Sequence, residues 1–169
     1  MAAARHLVVV YVVTAGQHGE GLGCDEQEIV MLTWLVVDTI NNKVVAVQQH
    51  IVKPRCSDIN DNLLSDICKN EIGLADDVIK NGQPLEQVLD QLDQFVRTKF
   101  DNNLGRTFHL ITDGQLHLRQ VIHPETCQKN ILLPDYYSTF FDLRKEFGKF
   151  YSTEDIYSIQ DMLKFLLSF

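Results

Sequence analysis

The sequence predicts an α/β fold in which helices flank a mixed β-sheet. Three apolar, β-branched segments lie within the first 52 residues and have the composition of strands. The segments from there to residue 100 instead repeat their apolar residues at helical spacing. Beyond residue 106, short apolar strands alternate with helical patterns, an order typical of β-α-β units. A hairpin meander followed by such units predicts one mixed sheet.

The first strand is predicted to lie at the centre of this sheet. Residues 7–14, LVVVYVVT, are almost continuously apolar and β-branched, which indicates burial on both faces. A second strand is predicted over residues 28–38 and a third over residues 43–52. The short Asn41-Asn42 turn between them predicts a hairpin.

The remaining elements follow from periodicity and from glycine and proline positions. Residues 85–100 give the clearest helix, which begins behind Pro84 and carries its apolar residues on one face, namely Leu85, Val88, Leu89, Leu92, Phe95, Val96 and Phe100. Further helices are predicted over residues 59–70, 74–79, 115–122, 144–150 and 156–167. Further strands are predicted over residues 107–112 and 139–143.

Composition limits the function classes. The 169 residues fit one globular domain, and a net charge of −8 disfavours a broad, sequence-independent grip on nucleic acid. The longest apolar run is too short to span a bilayer, so we expect no membrane contact. The cysteines form no CxxC pair and have no histidine at zinc-like spacing, so we expect reduced thiols; they are Cys24, Cys56, Cys68 and Cys127.

Asp113 is the residue around which a functional hypothesis is built. It follows the strand over residues 107–112 and precedes Gly114, which permits a tight turn into a helix. A carboxylate at the carboxyl end of a central strand is a common position for chemistry in α/β folds. Asp is also a good turn residue and helix N-cap, so a structural role stays open at this point.

Other chemistry-bearing residues give weaker signals. Arg144, Lys145 and Lys149 alternate with Phe147, Phe150 and Tyr151, a pattern that fits weak phosphate and base contact or a solvated face beside core aromatics. A loop with Asp135, Tyr136 and Tyr137 is a candidate exposed interface. We expect exposed or capped rather than metal-binding roles for the histidines, namely His6, His18, His50, His109, His117 and His123.

No GxSxG elbow, Walker loop or GxGxxG fingerprint occurs, and Gly19-x-Gly21-x-Gly23 is interpreted as a flexible loop. We therefore expect no organic cofactor. The sequence supports neither a serine hydrolase nor a P-loop or dinucleotide-binding enzyme.

Several stretches resemble the ribonuclease H-like exonuclease fold, in the branch that uses four carboxylates and a histidine to cut nucleic acid from the 3′ end. They are residues 50–54, 64–74, 78–82, 110–114 and 140–150. Two of them, LITDGQLHLRQVIHPE at residues 110–125 and FFDLRKEF at residues 140–147, are similar to the amino-terminal domain of the epithelial splicing regulatory protein (Fusilli) family. This resemblance spans most of the 169 residues, and only these two blocks are specific.

The resemblance implies a site that has lost its metal ligands. The active branch requires Asp-x-Glu in the first strand, and the matching positions here are Tyr11 and Val13. Neither side chain suits a hard divalent cation. Asp113 matches the third carboxylate, while the final histidine and aspartate would follow the last helix, so we expect residues 1–169 to be a single domain cut before its last motif. We predict that the domain is catalytically inactive, holds no metal, and keeps Asp113 as a vestige.

The resemblance also implies a biological setting. It predicts an RNA-binding regulator of alternative mRNA splicing, in the nucleus or also in the cytoplasm, whose downstream RNA-recognition motifs bind the RNA. This domain would then serve protein contacts, self-association or weak RNA contact through Arg144, Lys145 and Lys149. The alternatives are an active 3′-5′ exoribonuclease with displaced ligands, for which Asp25, Glu26 and Glu28 are the candidates, and a purely structural dimerisation module.

Overall fold

The computed structural model describes residues 5–24, 27–59, 62–100 and 107–168, and within these ranges five strands form one mixed sheet. The strands are β1 (His6–Thr14), β2 (Ile29–Asp38), β3 (Lys43–Ile51), β4 (Phe108–Thr112) and β5 (Phe140–Asp142). Their order across the sheet is β3-β2-β1-β4-β5. β2 is antiparallel to β1 and β3, whereas β4 is parallel to β1 and β5. The predicted mixed sheet is confirmed.

β1 is the central strand, as its continuous apolar sequence predicts. Val8, Val10 and Val12 are fully buried on one face, and Val9 pairs with Ile111 of β4. The opposite face of β1 is also largely covered at its carboxyl end, where Val13 is fully buried. A strand with apolar side chains on both faces is stable only between neighbours and covering layers, which is the environment β1 has.

Helices cover the sheet. The α-helices in the described ranges are α1 (Asp76–Lys80), α2 (Leu85–Lys99), α3 (His123–Gln128), α4 (Leu143–Tyr151) and α5 (Ile159–Leu167). The stripe of α2 is confirmed, since its buried residues are Leu85, Val88, Leu89, Leu92 and Val96. They share one apolar cluster with the buried valines of β1 and with Leu32 and Trp34 of β2. Among the described residues, no helix is both long and apolar enough to cross a membrane.

A second apolar cluster lies on the other face of the sheet, near the carboxyl end of β1. It joins Val13 and Met31 of the sheet to Leu64, Cys68 and Ile79 of the segments between β3 and α2. Side chains alternate between the faces of a strand, so Val13 points away from the face that Val12 buries. Val13 is therefore surrounded by apolar side chains.

The helix predicted over residues 59–70 forms only in its last part, because residues 66 and 67 are helical and lead into a π-helical turn. The structure has a 3₁₀ turn at Arg55–Asp58 and a π-helical turn at Cys68–Ile72. Between them, the backbone N–H groups of Leu63 and Leu64 both donate to Asp76 Oδ1, at 3.1 and 2.9 Å. A distant carboxylate thus satisfies these donors, and the helical spacing of the apolar residues reflects packing against the second cluster instead.

Other boundaries differ by a few residues. The helix predicted over residues 115–122 continues, as a π-helical segment at His117–Ile122 followed directly by α3. α5 begins at Ile159 because Ser158 caps it, its Oγ accepting from the N–H of Asp161 at 3.1 Å. Residues 101–106, between α2 and β4, lie outside the described residues.

Candidate functional site

Asp113 lies directly after β4, on the turn that leads into the π-helical segment. Gly114 has a φ of +79°, a conformation that glycine adopts without strain. A Cβ atom at Gly114 would meet Cζ of Arg144 at 3.3 Å. The glycine therefore permits both the tight turn and the close approach of Arg144.

Arg144 and Asp113 form a two-point ion pair. Nε of Arg144 donates to Oδ1 of Asp113 at 2.7 Å, and Nη2 donates to Oδ2 at 3.2 Å. The exposed fractions of the two side chains are 17% and 6%. Bidentate contacts between guanidinium and carboxylate are among the stronger hydrogen bonds in proteins. The carboxylate is thus engaged by a side chain. The predicted turn position of Asp113 is where the structure has it, whereas the π-helical segment that follows has no side-chain cap.

The strand order brings this pair together. β4 and β5 are parallel neighbours, with Thr112 opposite Asp142. Their carboxyl ends therefore lie at the same edge of the sheet. Asp142 caps α4, because its side chain accepts from the N–H groups of Arg144 and Lys145 at 3.1 and 3.3 Å. The cap fixes the first turn of α4, from which Arg144 extends to Asp113.

Tyr11 and Val13 have different environments. Tyr11 is half-buried and lines the same cavity of about 490 Å³ as Asp113, Arg144, His18, Glu71 and Ile159. Burial raises the pKa of its phenol, and the negative charge of Asp113 raises it further. Val13 is fully buried in the second apolar cluster. A metal-binding group at residue 13 would therefore lie in an apolar interior.

His117 is a functional-site neighbour that the sequence analysis missed. The expectation of an exposed or capped histidine is wrong here, because His117 is fully buried and its ring lies 4.5 Å from that of Tyr11. Its Nδ1 accepts a hydrogen bond from the N–H of Val12 at 3.1 Å. The ladder between β1 and β4 ends at Val10, so the imidazole binds the next donor along β1. Burial lowers the pKa of His117 to about 4.

The sequence gives no signal that separates His117 from the other five histidines. Their contacts in the structure are dispersed: His6 lies beside Phe100, His18 contacts Glu71, His50 stacks on Trp34, His109 contacts Phe141, and His123 contacts the carbonyl of Tyr137. Within the described ranges no three His, Cys, Asp or Glu side chains are grouped as a metal site would require.

The basic residues predicted for weak RNA or partner contact do lie together. Arg144, Lys145 and Lys149 line one surface cavity of about 610 Å³ beside α4. Two of them are already engaged, Arg144 by Asp113 and Lys149 by Glu146 at 2.7 Å. The aromatic side chains between these basic residues differ in exposure. Phe147 packs against Tyr151 and Phe165, whereas Phe150 is exposed.

The prediction that residues 135–137 form an exposed interface loop is wrong for the two tyrosines. Tyr137 is almost fully buried, and burial raises its pKa well above the ordinary value. Tyr136 is half-buried, and its hydroxyl donates to Asp93 at 3.3 Å. The two rings stack with centroids 4.8 Å apart, and Tyr137 belongs to the main apolar cluster. Aromatic rings that close a core cannot also present a binding surface.

The candidates for displaced metal ligands do not assemble with Asp113. Glu28 binds the backbone N–H of Arg55 at 3.1 Å and Nζ of Lys129 at 2.5 Å. It lines a different cavity, together with Glu125 and Arg119. Asp25 and Glu26 lie outside the described residues.

Solved structures that are similar to this chain include 3′-exonucleases. A full-length 3′-exonuclease matches with a TM-score of 0.74 at 17% identity, over 90% of this chain and 48% of that chain. The nuclease domain of 3′hExo, a DEDDh family member solved with rAMP, matches with a TM-score of 0.73 at 18% identity, over 90% of this chain and 74% of that chain. The chain has the fold of a 3′-exonuclease nuclease domain.

A third match is the 3′-exonuclease solved in 3′-end-specific recognition of a histone mRNA stem-loop. Its TM-score is 0.75 at 18% identity, over 91% of this chain and 66% of that chain. The exonuclease-like domain spans about half the length of the full-length exonuclease. No protein-family model matches the sequence. The TM-scores establish the ribonuclease H-like fold, whereas identities this low say nothing about the chemistry of this chain.

The residues around Asp113 do not fit a pair of divalent cations. Such ions need several oxygen anions, and catalysis by two metals needs both ions held a few ångströms apart. Among the described residues two carboxylates line this cavity: a guanidinium already binds both oxygens of Asp113, and His18 contacts Glu71 at 2.8 Å. Tyr11 offers a protonated phenol and Val13 offers no donor.

Proposed function

We propose that this exonuclease-like domain does not cut nucleic acid and acts as a protein-interaction or scaffolding module. The observation that carries the proposal is the guanidinium of Arg144 on both oxygens of Asp113. A positive charge fixed at Asp113 opposes the entry of a divalent cation. Tyr11 and Val13 in place of the first-strand carboxylates support the same conclusion.

The setting that we propose is an RNA-binding regulator of alternative mRNA splicing. The similarity of residues 110–125 and 140–147 to the epithelial splicing regulatory protein (Fusilli) family supports it. In this proposal residues 1–169 form a single domain, further modules bind the RNA, and the protein acts in the nucleus. A net charge of −8 favours protein partners over RNA for the domain itself.

An active 3′-5′ exoribonuclease is the competing hypothesis, because the similar solved structures are 3′-exonucleases. It requires ligands displaced from the first strand. Glu28, the one described candidate, is engaged by Arg55 and Lys129 on another cavity, which counts against it.

An exonuclease assay decides between these hypotheses. It uses 5′-labelled single-stranded RNA, excess protein, and Mg²⁺ or Mn²⁺, and it compares the wild type with Asp113→Ala and with the isosteric Asp113→Asn. An active 3′-exonuclease is the positive control, and circular dichroism confirms that each variant is folded. We expect no shortening of the RNA by any form of this protein. Stepwise 3′ shortening by the wild type that is lost in both variants would establish an enzyme and overturn the proposal.

A further inference from the structure

β3 is the outer strand of the sheet and exposes apolar side chains. Val44 and Val45 are each 55% exposed and Val47 is 58% exposed. Soluble proteins normally protect an edge strand with charged residues, proline or a covering segment. From residue 44 to residue 52 this strand and its continuation contain no Asp, Glu, Lys, Arg or Pro. A bulge at Val45, which has no partner opposite it in β2, protects this edge in part.

The backbone of the same edge is covered at one end only. The N–H of Gln83 donates to the carbonyl of Ile51 at 3.0 Å, and the N–H of Lys53 donates to the carbonyl of Gln83 at 2.8 Å. Backbone groups alternate in direction along a strand, so those of Val47 and Gln49 point to this same outer side. In the described part of the chain no strand pairs with them there.

We propose that a second copy of this chain pairs with β3, antiparallel and about a two-fold axis at Val47. The two sheets then form one continuous ten-stranded sheet. In this register Val47 lies opposite Val47 of the second copy, Ala46 lies opposite Gln48 of that copy, and Val45 lies opposite its Gln49. The centre is apolar and its borders are polar, which is the usual composition of a protein interface.

Charge favours a second copy at this edge. Two chains of net charge −8 repel each other over most of their surfaces, but residues 43–52 carry no acid and one cation, Lys43. Antiparallel pairing puts the two Lys43 residues at opposite ends, roughly 26 Å apart at the rise of a strand. That separation exceeds the Debye length of about 8 Å at physiological salt, so their repulsion is screened.

The apolar surface continues from the edge onto the sheet. Leu35 pairs with Val47 across β2 and β3, and Leu35 and Val37 are both half-buried. A strand of nine residues is nevertheless short for a stable interface, which buries about 800 Å² on each partner. We therefore expect a weak dimer with a micromolar dissociation constant, which can be strengthened when other parts of a longer protein are linked to it.

The test is sedimentation equilibrium from micromolar to near-millimolar concentration. We expect a monomer-dimer equilibrium for the wild type and an increase of at least about tenfold in the dissociation constant for Val47→Lys, since like charges would face each other at the axis. Val78→Lys is the matched control, because Val78 is 46% exposed on α1, and it should dimerise as the wild type does. A wild type that stays monomeric throughout would overturn the proposal.

Two further measurements locate the interface. Amide hydrogen exchange at Val47 and Gln49 should slow as the wild-type concentration rises, a readout that needs no variant. In a Cys24→Ser, Cys127→Ser background, Val47→Cys should form an intermolecular disulfide, because facing Cα atoms lie about 5.5 Å apart in a hydrogen-bonded pair. A dimer that Val47→Lys leaves intact would mean that another surface associates.

This inference rests on the proposed function, because the dimer would be one form of the proposed protein interaction. The two are tested separately: nuclease activity could be detected in a protein that dimerises through β3, and an inactive protein could be monomeric. A monomeric wild type whose edge amides are protected only by an added extended peptide would assign β3 to a different protein.

Discussion

The cation that neutralises Asp113 is a side chain of the same molecule. A metal ion would have to displace the guanidinium of Arg144 before it could bind Asp113, and Glu71, the other described carboxylate that lines this cavity, is paired with His18. Because the pair is largely buried, each partner also depends on the other for stability. Breaking a buried pair leaves an unpaired charge in the interior.

We predict that Arg144→Ala lowers the free energy of unfolding by about 3 kcal/mol, the low end for a broken buried pair, because the guanidinium is 17% exposed. Lys149→Ala, which removes an exposed pair with Glu146, should cost less than about 0.5 kcal/mol. Urea unfolding measures both values. A double-mutant cycle with Asp113→Ala should give a coupling energy of at least about 0.5 kcal/mol, and additive effects would contradict a direct pair.

His117 makes stability depend on pH. Its folded pKa, about 4, lies below the ordinary value of 6.5, so the unfolded chain takes up the proton first as the pH falls. The contribution of the neutral His117 side chain to the free energy of unfolding is full above about pH 6.5 and is lost as the pH falls towards 4. Two charged groups also act on the imidazole: Asp113 raises the pKa of His117 and Arg144 lowers it. The effect of burial is larger, so the pKa of His117 stays below its ordinary value.

We predict that His117 accounts for a loss of about 2 kcal/mol of stability between pH 7 and pH 5. His117→Gln keeps an acceptor for the N–H of Val12 and removes the titrating group. Urea unfolding of both proteins at the two pH values gives the difference directly. Equal pH dependence in the wild type and in His117→Gln would show that the imidazole is not the group responsible.

At the scale of the elements, the end of β5 and the start of α4 hold the site. Asp142 ends the strand and caps the helix that carries Arg144. The cap satisfies two N–H groups that a helix leaves unpaired at its start. A single residue thus links sheet, helix and ion pair.

We predict that Asp142→Ala costs about 1 kcal/mol of unfolding free energy through the loss of the cap. Asp155→Ala is the control, since Asp155 is exposed, and it should change stability by less than about 0.5 kcal/mol. Thermal unfolding followed by circular dichroism compares the two. If both variants melt alike, the side chain of Asp142 does not cap α4 in solution.

For the whole molecule, charge is the property that governs encounters with nucleic acid. Only 15 lysines and arginines stand against 23 acidic residues, and Arg144 and Lys149 already have carboxylate partners. Non-specific nucleic-acid binding depends on neutralising phosphates with Lys and Arg. The domain has few such residues to offer.

We predict that the isolated domain binds single-stranded RNA more weakly than about 100 µM at physiological salt, the weak end for non-specific binders. Fluorescence anisotropy with a 5′-labelled oligonucleotide measures this. A sub-micromolar affinity that falls steeply with salt, and that Lys145→Glu reduces, would move the proposed role from protein contact to RNA contact.

The sequence by itself determined the sheet, the central strand and the long helix. These follow from local regularities, namely the apolar β-branched run of β1 and the stripe of α2, which only one kind of packing satisfies. The identities of Tyr11 and Val13 also need no coordinates, and their place at the first-strand carboxylate positions belongs to the proposal. The helix predicted over residues 59–70 begins only at residue 66, because Asp76 takes the backbone donors of Leu63 and Leu64.

Only the tertiary structure decided what Asp113, His117 and Tyr137 do. Their roles depend on partners that come from other strands and helices: Arg144 for Asp113, Val12 for His117, and the main apolar cluster for Tyr137. Burial of a polar side chain is stable only when such partners are in place, and neither periodicity nor composition records them. The physical reason is that local spacing reports which face is apolar, whereas long-range contacts decide which charges meet.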